Sequence, residues 1–183
     1  MKKADKIAVL QKGIDETLIC RCFFAYTPDY WYYYPLAVSD KLMLGVKELD
    51  FMLDGYGVRK LSQLQKVEVK DDVCDAINKM FGVTDGIVSP HVNIGGWKEL
   101  LESLKDYNGY ITILNELEEK LSIGIVERVG KSSVQFRRFD ADGIWDEEPV
   151  EIRFSEITAV EWGDRYATYW KRYMEHTGKD WKK

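Results

Sequence analysis

The sequence is poor in the residues that most often assign a protein to a functional class. Among its 183 residues there are three cysteines, two histidines and four prolines. An odd number of cysteines does not make a disulfide framework, and Cys20 and Cys22, two positions apart on one strand face, predict a buried thiol pair. His91 and His176 adjoin no pattern typical of a nucleophile and its base. We therefore expect no catalytic residue, no metal site and no cofactor.

Long apolar runs and a phosphate-binding loop are also missing from the sequence. No hydrophobic stretch approaches the ~20 residues that cross a bilayer. Residues 7–10, behind Met1-Lys2-Lys3, are too few for the apolar core of a signal peptide and predict a short N-terminal helix instead. Gly95-Gly96 lacks the preceding strand, the lysine and the hydroxyl residue of a phosphate loop. These absences predict a cytoplasmic protein that does not enter a membrane.

The chain has a net negative charge, and most of the excess lies in the second half of the sequence. The chain has 26 basic and 31 acidic side chains, a formal net charge of −5. Residues 1–96 hold 12 basic and 13 acidic side chains, whereas residues 97–183 hold 14 and 18. Binding to a phosphate backbone depends on clustered lysine and arginine. The balance therefore disfavours nucleic acid as the main partner.

What the sequence does contain is two blocks that recur in the same order. Residues 42–48 (Leu-Met-Leu-Gly-Val-Lys-Glu) are similar to residues 121–127 (Leu-Ser-Ile-Gly-Ile-Val-Glu). Residues 61–71 and 154–164 share the pattern hydrophobic-Ser-x-[Ile/Leu]-x-x-Val-Glu, and a helical segment follows each. A fixed order of strand-like blocks predicts two copies of one small β unit. We expect three pairs of residues to face inward at equivalent places: Leu44 and Ile123, Leu64 and Ile157, and Val67 and Val160.

The segments around these blocks predict a mainly β fold with short helices, in the α+β class. Strand-like runs separated by turns occupy residues 14–80 and 109–177, which we interpret as a first and a second unit. Residues 81–108 contain a glycine-rich stretch and an amphipathic stretch, and they predict a linker and a helix. Residues 54–57, Asp-Gly-Tyr-Gly, predict a turn, and Pro35 predicts an edge strand or a bulge.

Each unit is predicted to end in a helix with an aspartate cap. Asp71 or Asp72 can cap a helix that runs through Met80, and Asp164 can cap another that ends near His176. Four aromatic residues fall on one stripe of this last helix: Tyr166, Tyr169, Trp170 and Tyr173.

This order of short strands, with a one-turn helix before the last strand and a helix after it, resembles the SH3-like and Sm-like small barrels. The segment Gly-Ile-Trp-Asp-x-x-Pro at residues 143–149 is similar to one in bacterial proteins with no assigned activity. The resemblance implies two tandem small barrels, each closed by a helix. RNA-binding Sm proteins carry an Asp-x-x-Asn loop after the second strand, and a bacterial type carries a Tyr-Lys-His signature. This sequence has neither, so no RNA-binding residue is carried over.

Six aromatic residues crowd into the nine positions of residues 26–34. On a strand, alternate side chains point to opposite faces, so the five aromatic residues at 30–34 divide between the two faces. One small core cannot accept both faces, and large amphipathic side chains are favoured at interfaces. We expect at least two of the five to be buried by the other unit or by a second chain. The rest are candidates for stacking bases or holding a proline-rich peptide. Tyr30, Tyr32 and Tyr34 share one face, and Trp31 and Tyr33 share the other.

A second candidate is the loop at residues 140–148, which holds five carboxylates. Carboxylate oxygens suit Ca²⁺, but the glycine stands at the fourth position of the loop rather than the sixth. The pattern favours a solvated hairpin loop, with a surface for a basic partner as the alternative. The candidate partner-binding residues here are Asp140, Asp142, Trp145, Asp146 and Glu147.

Three hypotheses for function follow. The leading one is a non-enzymatic binding or assembly module whose partner is a protein or peptide, with a homo-oligomer possible. The second is an Sm-like nucleic-acid-binding protein, which requires a basic surface. The third is an acidic protein that neutralises a basic partner through residues 140–148. A hydrolase is disfavoured because no carboxylate pair is singled out by its spacing. The basic surface of the second hypothesis would consist of Arg59, Lys60, Arg137, Arg138 and Arg153.

Overall fold

A ten-stranded antiparallel sheet is the framework of the protein in the computed structural model, which describes residues 1–27, 29–70 and 72–181. Four helices accompany it, so the predicted mainly β, α+β class is confirmed. The elements in chain order are α1 (Lys3–Glu16), β1 (Cys20–Phe24), β2 (Tyr30–Val38), β3 (Leu42–Leu49), β4 (Met52–Lys60), β5 (Leu64–Val69), α2 (Val73–Met80), a 3-10 turn (Val83–Gly86), α3 (Trp97–Ser103), β6 (Ile111–Asn115), β7 (Lys120–Val129), β8 (Ser133–Phe139), β9 (Val150–Arg153), β10 (Ala159–Trp162) and α4 (Arg165–His176).

The order of the strands in the sheet has a two-fold pattern. It runs β5-β1-β2-β3-β4-β10-β6-β7-β8-β9. The first five strands of the chain and the last five strands thus each follow the order fifth, first, second, third, fourth. A helix precedes and a helix follows each set: α1 and α2 around the first half, α3 and α4 around the second half. The two halves join where β4 pairs with β10.

Hydrogen bonding does not close this sheet into a barrel. In the described ranges, β5 pairs only with β1, and β9 pairs only with β8. These two strands are therefore the edges of one open sheet that runs through both halves.

The expected equivalent pairs agree with this strand order in part. Val67 and Val160 lie in β5 and β10, where each pairs with the first strand of its half. Leu64 begins β5, while Ile157 lies in the turn just before β10, and both are fully buried.

The first block of the sequence pattern does not fit the strand order. Leu44 lies in β3, the third strand of its half, whereas Ile123 lies in β7, the second strand of its half. The expectation for this pair is wrong. Alternating apolar residues around a glycine are common to many buried strands, so the two segments can be similar without being equivalent.

The turn predicted at residues 54–57 is also wrong, because β4 runs through it. The chain reverses instead at Asp50 and Phe51, which take positive φ values of 51° and 64°. Gly55, with φ of 72°, allows a close approach: a Cβ there would lie 2.4 Å from the backbone nitrogen of Asp164. A Cβ on Gly57 would lie 2.8 Å from the hydroxyl of Tyr33. Both glycines therefore serve packing across the sheet rather than a turn.

The residues near Pro35 and the caps of two helices follow the sequence predictions. The register between β2 and β3 shifts between Pro35 and Ala37, which is the predicted bulge. Asp72 caps α2 by accepting a hydrogen bond from the backbone of Cys74 at 2.9 Å. Asp164 caps α4 in the same way. Asp71, the alternative cap of α2, lies outside the described residues.

The sheet is covered on both faces, which explains the apolar run at the start of β3. Met43 faces a core that α1 closes over the first half. Leu42 and Leu44 face a central core that also contains Ile113 and Val160 of the second half. All five residues from Leu42 to Val46 are buried for this reason.

Two helices of the second half pack on opposite sides of its strands. α3 contributes Trp97, Leu100 and Leu101 to the central core and contacts β7 and β8. The segment at residues 81–108 therefore contributes residues to the core as well as linking the two halves. α4 packs Ala167 and Met174 against a third apolar cluster. Over residues 1–27, 29–70 and 72–181, the structure has no helix that combines the length and the apolar character needed to cross a membrane.

Candidate functional site

The aromatic strand β2 places two of its five candidate side chains in the interior. Tyr33 lies in the core of the first half, edge-on to Phe24 at 6.4 Å between ring centroids. Tyr34 is covered by α2, where its hydroxyl donates to a carboxylate oxygen of Asp75 at 3.5 Å. Burial raises the pKa of both hydroxyls above the usual value.

These two tyrosines are buried within their own half and not by the other unit; the burial of at least two of the five by a second chain stays a prediction. The physical reason is that β2 is an inner strand of the sheet with a core on one face and α2 on the other. Trp31, on the face of Tyr33, remains partly exposed, with its ring 5.8 Å from the guanidinium of Arg59.

Tyr30 and Tyr32 lie on the outer face of the first half, and cations already cover them. The guanidinium of Arg21 lies 4.5 Å from the ring centroid of Tyr30 and 5.9 Å from that of Tyr32. The amine of Lys70 donates to the hydroxyl of Tyr32 at 2.5 Å. Burial opposes ionisation of Tyr32, but hydrogen bonds from Lys70, Tyr30 and Arg21 outweigh it, so the pKa of Tyr32 lies below its usual value.

Carboxylates balance the cations of this outer face. Glu68 lies 2.7 Å from Lys66 and 4.0 Å from Arg21, and Asp72 lies 3.0 Å from Lys70. The face is therefore an internally paired cation–aromatic surface, with little free charge to attract an anionic partner.

Two of the four arginines that would form a basic surface are inside the protein. Arg59 is 2% exposed and pairs with Glu116 at 2.6 Å and with Glu161 at 3.4 Å. Arg137 is 8% exposed and pairs with Glu127 at 2.6 Å. The structure thus brings Arg59 to the junction of the two halves, while Arg138 and Arg153 are exposed and Lys60 is half-buried.

Most candidate side chains of the loop at residues 140–148 make contacts within the protein. One carboxylate oxygen of Asp140 accepts from the backbones of Asp142 and Ile144, at 2.9 Å each. Asp146 pairs with Arg138 at 2.7 Å. Trp145 packs on Tyr110 and Phe139. Asp140, Asp142 and Glu147 are exposed, and of these Asp140 is engaged in the hydrogen bonds of the loop.

Metal ligands and reactive thiols do not mark a site in the part of the chain that the structure describes. No group of three or more histidine, cysteine, aspartate or glutamate side chains there could hold a metal ion. Cys20 and Cys22 are buried on one face of β1, as the sequence predicts. Burial, with a smaller contribution from Asp75, raises the pKa of Cys20 to about 12, so this thiol stays protonated at neutral pH.

The last helix, α4, presents aromatic side chains to solvent. Its polar sequence buries Ala167 and Met174 against the sheet. Asp164 fixes the start of the helix by accepting a hydrogen bond from the backbone of Ala167 at 2.7 Å. Residues three and four apart share a helix face, so the remaining aromatic residues line up beside the buried stripe. We call this surface the tyrosine face, and it consists of Tyr166, Tyr169, Trp170 and Tyr173.

The rings of the tyrosine face are exposed and roughly perpendicular to one another. Tyr166, Tyr169 and Tyr173 are 54%, 65% and 45% exposed. Trp170 lies between two of them, at 6.4 Å and 77° to Tyr166 and at 5.8 Å and 86° to Tyr173. Arg172 lies over the ring of Tyr169 at 5.5 Å and Lys179 over the ring of Tyr173 at 5.8 Å, so cations border the exposed rings.

An open cavity of about 790 Å³ lies over this face. Besides the four aromatic residues, its lining contains Ala141, Asp142 and Arg165. The carboxylate of Asp142 takes part in none of the ion pairs of the described residues, whereas Arg165 lies 3.6 Å from Asp54. The loop at residues 140–148 therefore contributes one of its predicted residues, Asp142, to the cavity.

The candidate residues predicted from the sequence do not include this site, although the sequence carries a signal for it. The signal is the stripe of four aromatic residues, but an aromatic stripe on a helix more often belongs to a core. What distinguishes this stripe is that Ala167 and Met174 already supply the buried face.

Comparison with known proteins assigns no function to the chain, so the candidate site is identified from its geometry. No protein-family model, no curated protein and no solved structure matches the chain. The tyrosine face, with Asp142 and Arg165 at its margin, is therefore the candidate functional site on structural grounds.

Proposed function

We propose that the chain is a non-enzymatic binding module that docks a segment of a partner protein on the tyrosine face of α4. One observation carries the proposal: three tyrosine rings stand exposed on one helix face, over an open cavity of about 790 Å³. Tyrosine and tryptophan are enriched where proteins bind one another. An exposed cluster of such rings is a common mark of an interaction site.

The scaffold in this proposal is a pair of fused small-barrel units. The repeated strand order and the helices on either side of each set support it, since both halves have the same sequence of elements. They also fit the resemblance to SH3-like and Sm-like barrels. The open hydrogen-bond ladder means that such units would be curled sheets that share one continuous sheet, fused where β4 meets β10.

The chemistry of the cavity favours contact with a chain over a reaction. Its lining has one carboxylate, Asp142, and one guanidinium, Arg165, among aromatic rings. Active sites usually concentrate converging polar groups with perturbed pKa values in a concave pocket. Aromatic rings on an open surface instead provide contact area at low cost in side-chain entropy.

The other two hypotheses have less support from the side-chain positions. A nucleic-acid surface needs exposed cations, and Arg59 and Arg137 are buried in ion pairs. A neutralising acidic surface needs free carboxylates, and Asp140 and Asp146 are engaged within their own loop or with Arg138.

The proposal can be tested by selection from a phage-displayed library of random 12-residue peptides. The baits are the wild-type protein, Tyr169→Ala, and Tyr26→Ala, which removes an exposed tyrosine in the first half. We expect wild type and Tyr26→Ala to enrich the same sequence motif and Tyr169→Ala to lose it. Enrichment of no motif by wild type, or of an unchanged motif by Tyr169→Ala, would contradict the proposal.

A further inference from the structure

We infer that the protein has a second binding site, a cavity rimmed by four lysines that takes an organic phosphate with an apolar body. The cavity lies where α1, the end of β4 and the start of α3 meet. Its volume of about 490 Å³ is in the range of small-molecule sites. It shares no lining residue with the cavity over the tyrosine face, so the inference is independent of the proposed function. We call it the lysine cavity.

The lysines of the cavity come from three separate segments. Lys3 and Lys6 belong to α1, Lys41 to the turn between β2 and β3, and Lys60 to the end of β4. Asp40 is the one carboxylate in the lining, which leaves an excess of three positive charges in a chain whose net charge is −5. Gathered cations repel one another, and a bound anion removes that repulsion.

The protein does not neutralise these cations with its own carboxylates. The amines of Lys3, Lys6 and Lys41 take part in none of the hydrogen bonds or ion pairs that the described residues make. The amine of Lys60 donates only to the backbone carbonyl of Ser155, at 3.0 Å, and burial lowers its pKa. The cations on the outer face of the first half, in contrast, all lie beside carboxylates. The lysine cavity is therefore a place where positive charge is left available to a ligand.

The inner wall of the cavity is apolar and contains one buried donor. Leu42, Leu61 and Trp97 are buried residues of the lining. Trp97 is only 7% exposed, and its indole nitrogen has no hydrogen-bond partner in the part of the chain that the structure describes. Buried donors without a partner are rare in folded proteins. An oxygen of a bound ligand would supply the acceptor that this N–H lacks.

The start of α1 adds attraction of the same sign. Lys3 and Lys6 lie in the first two turns of this 14-residue helix, which has no side-chain hydrogen bond at its cap. The N-terminus of a helix carries a partial positive charge, and its first backbone N–H groups have no partner within the helix. Anions bind readily at such ends. The helix and the lysines therefore favour the same kind of ligand.

The composition of the lining favours a phosphate over a carboxylate. Arginine suits the two-pronged recognition of a carboxylate, whereas lysine acts on phosphate as a point charge, and this lining has four lysines and no arginine. A phosphate monoester carries about −1.5 to −2 charges at pH 7, closer to the excess of three than a single carboxylate is. The apolar wall, in turn, favours a ligand with an apolar body over the bare ion.

Isothermal titration calorimetry at low ionic strength tests the site with three probes. 2-Naphthyl phosphate has both parts of the ligand, 2-naphthol keeps the apolar body without the phosphate, and inorganic phosphate has no apolar body. We expect wild type to bind 2-naphthyl phosphate at least about tenfold more tightly than either of the others, since each part adds contacts of its own. Equal affinity for 2-naphthyl phosphate and one of the others, or no binding of it, would overturn the inference.

Two double variants locate the binding. Lys3→Gln with Lys41→Gln removes two exposed lysines of the lining, and Lys12→Gln with Lys131→Gln removes two exposed lysines outside it. The lining variant should bind 2-naphthyl phosphate about tenfold more weakly or worse, with its affinity for 2-naphthol unchanged, and the control should match wild type. Equal weakening in both would show attraction by overall charge and overturn the site. Thermal unfolding should stay unchanged because all four side chains are exposed.

The indole signal of Trp97 gives a direct readout of the donor. In ¹⁵N-labelled protein, the indole N–H resonance of Trp97 should shift on addition of 2-naphthyl phosphate and stay in place on addition of 2-naphthol. A Trp97 resonance that does not move at saturation would place the ligand elsewhere and overturn the site.

Further ligands identify the source of the phosphate. Binding to phosphatidylcholine vesicles only when they contain phosphatidic acid, with loss in the lining variant, would identify a lipid phosphate. Binding of 2-naphthyl phosphate without vesicle binding would identify a soluble one. Tighter binding of an oligouridylate than of 2-naphthyl phosphate, again lost in the lining variant, would show a nucleic-acid surface and overturn the small ligand. None of these results bears on the tyrosine face, which the peptide selection tests separately.

Discussion

At the scale of single residues, the most consequential side chain is Arg59. Its guanidinium donates to the hydroxyl of Tyr33 at 3.0 Å and pairs with Glu116 and Glu161. Burial works against its charge, yet these neighbours raise the pKa of Arg59 further above its usual value. Tyr33 and Arg59 belong to the first half, and both carboxylates belong to the second. One buried cation therefore links the halves.

Removing this cation should destabilise the fold strongly. Arg59→Met leaves Glu116, whose side chain is 16% exposed, without its ion-pair partner and leaves Glu161 with Lys47 alone. Breaking a buried pair in this way costs about 3–5 kcal/mol. Equilibrium denaturation in urea, monitored by circular dichroism, measures the loss. Arg153→Met is the control, because Arg153 is exposed and a surface change usually alters stability by less than about 0.5 kcal/mol. Equal midpoints for Arg59→Met and wild type would show that the ion pairs contribute nothing.

At the scale of elements, α4 both packs against the sheet and carries the candidate site. Its cap, Asp164, is buried, and the amine of Lys47 lies 3.8 Å from its carboxylate. Burial raises the pKa of Asp164 above the usual aspartate value, even though the hydrogen bond from Ala167 and the charge of Lys47 lower it. Ionised Asp164 is therefore less stable in the folded protein than in the unfolded chain.

This raised pKa gives a prediction with a definite sign. Asparagine caps a helix about as well as aspartate but carries no charge. Asp164→Asn should therefore be more stable than wild type at pH 7, where Asp164 is ionised. The gain should shrink as pH falls and disappear below the ordinary aspartate pKa of about 3.9, where both states of wild type are protonated. Denaturation at several pH values tests this, and a variant less stable than wild type at pH 7 would contradict it.

At the scale of the whole molecule, one sheet and one central core cross the boundary between the halves. Leu44 and Val58 of the first half pack in the same cluster as Ile113 and Val160 of the second half. The β4–β10 pairing adds backbone hydrogen bonds across the same boundary. The halves should therefore not unfold independently.

A single cooperative transition is the expected consequence. Tryptophan fluorescence reports mainly the second half, since five of the six tryptophans lie beyond residue 96, while far-ultraviolet circular dichroism reports both halves. The two signals should give the same midpoint in urea. Two separate transitions would show that the shared core does not couple the halves.

The sequence predicts much of this architecture and less of the site. Turn residues, caps and apolar runs place most strands and helices, because they act through local backbone preferences. The continuation of β4 through Gly55 is not predictable from the local sequence. The glycine is required there by the close approach of Asp164, which is distant in sequence. The same holds for the aromatic residues: Tyr33 and Tyr166 look alike in sequence, and only the packing of α1, α2 and α4 decides which is covered.

The central claim is that the partner segment docks on α4 and not on the aromatic strand β2. The most direct measurement is the set of backbone amide chemical-shift changes in ¹⁵N-labelled protein on addition of the peptide selected from the library. The account predicts that the largest changes cluster at residues 141–143 and 165–173. Changes concentrated at residues 21–32, around Arg21, Tyr30 and Tyr32, would contradict it.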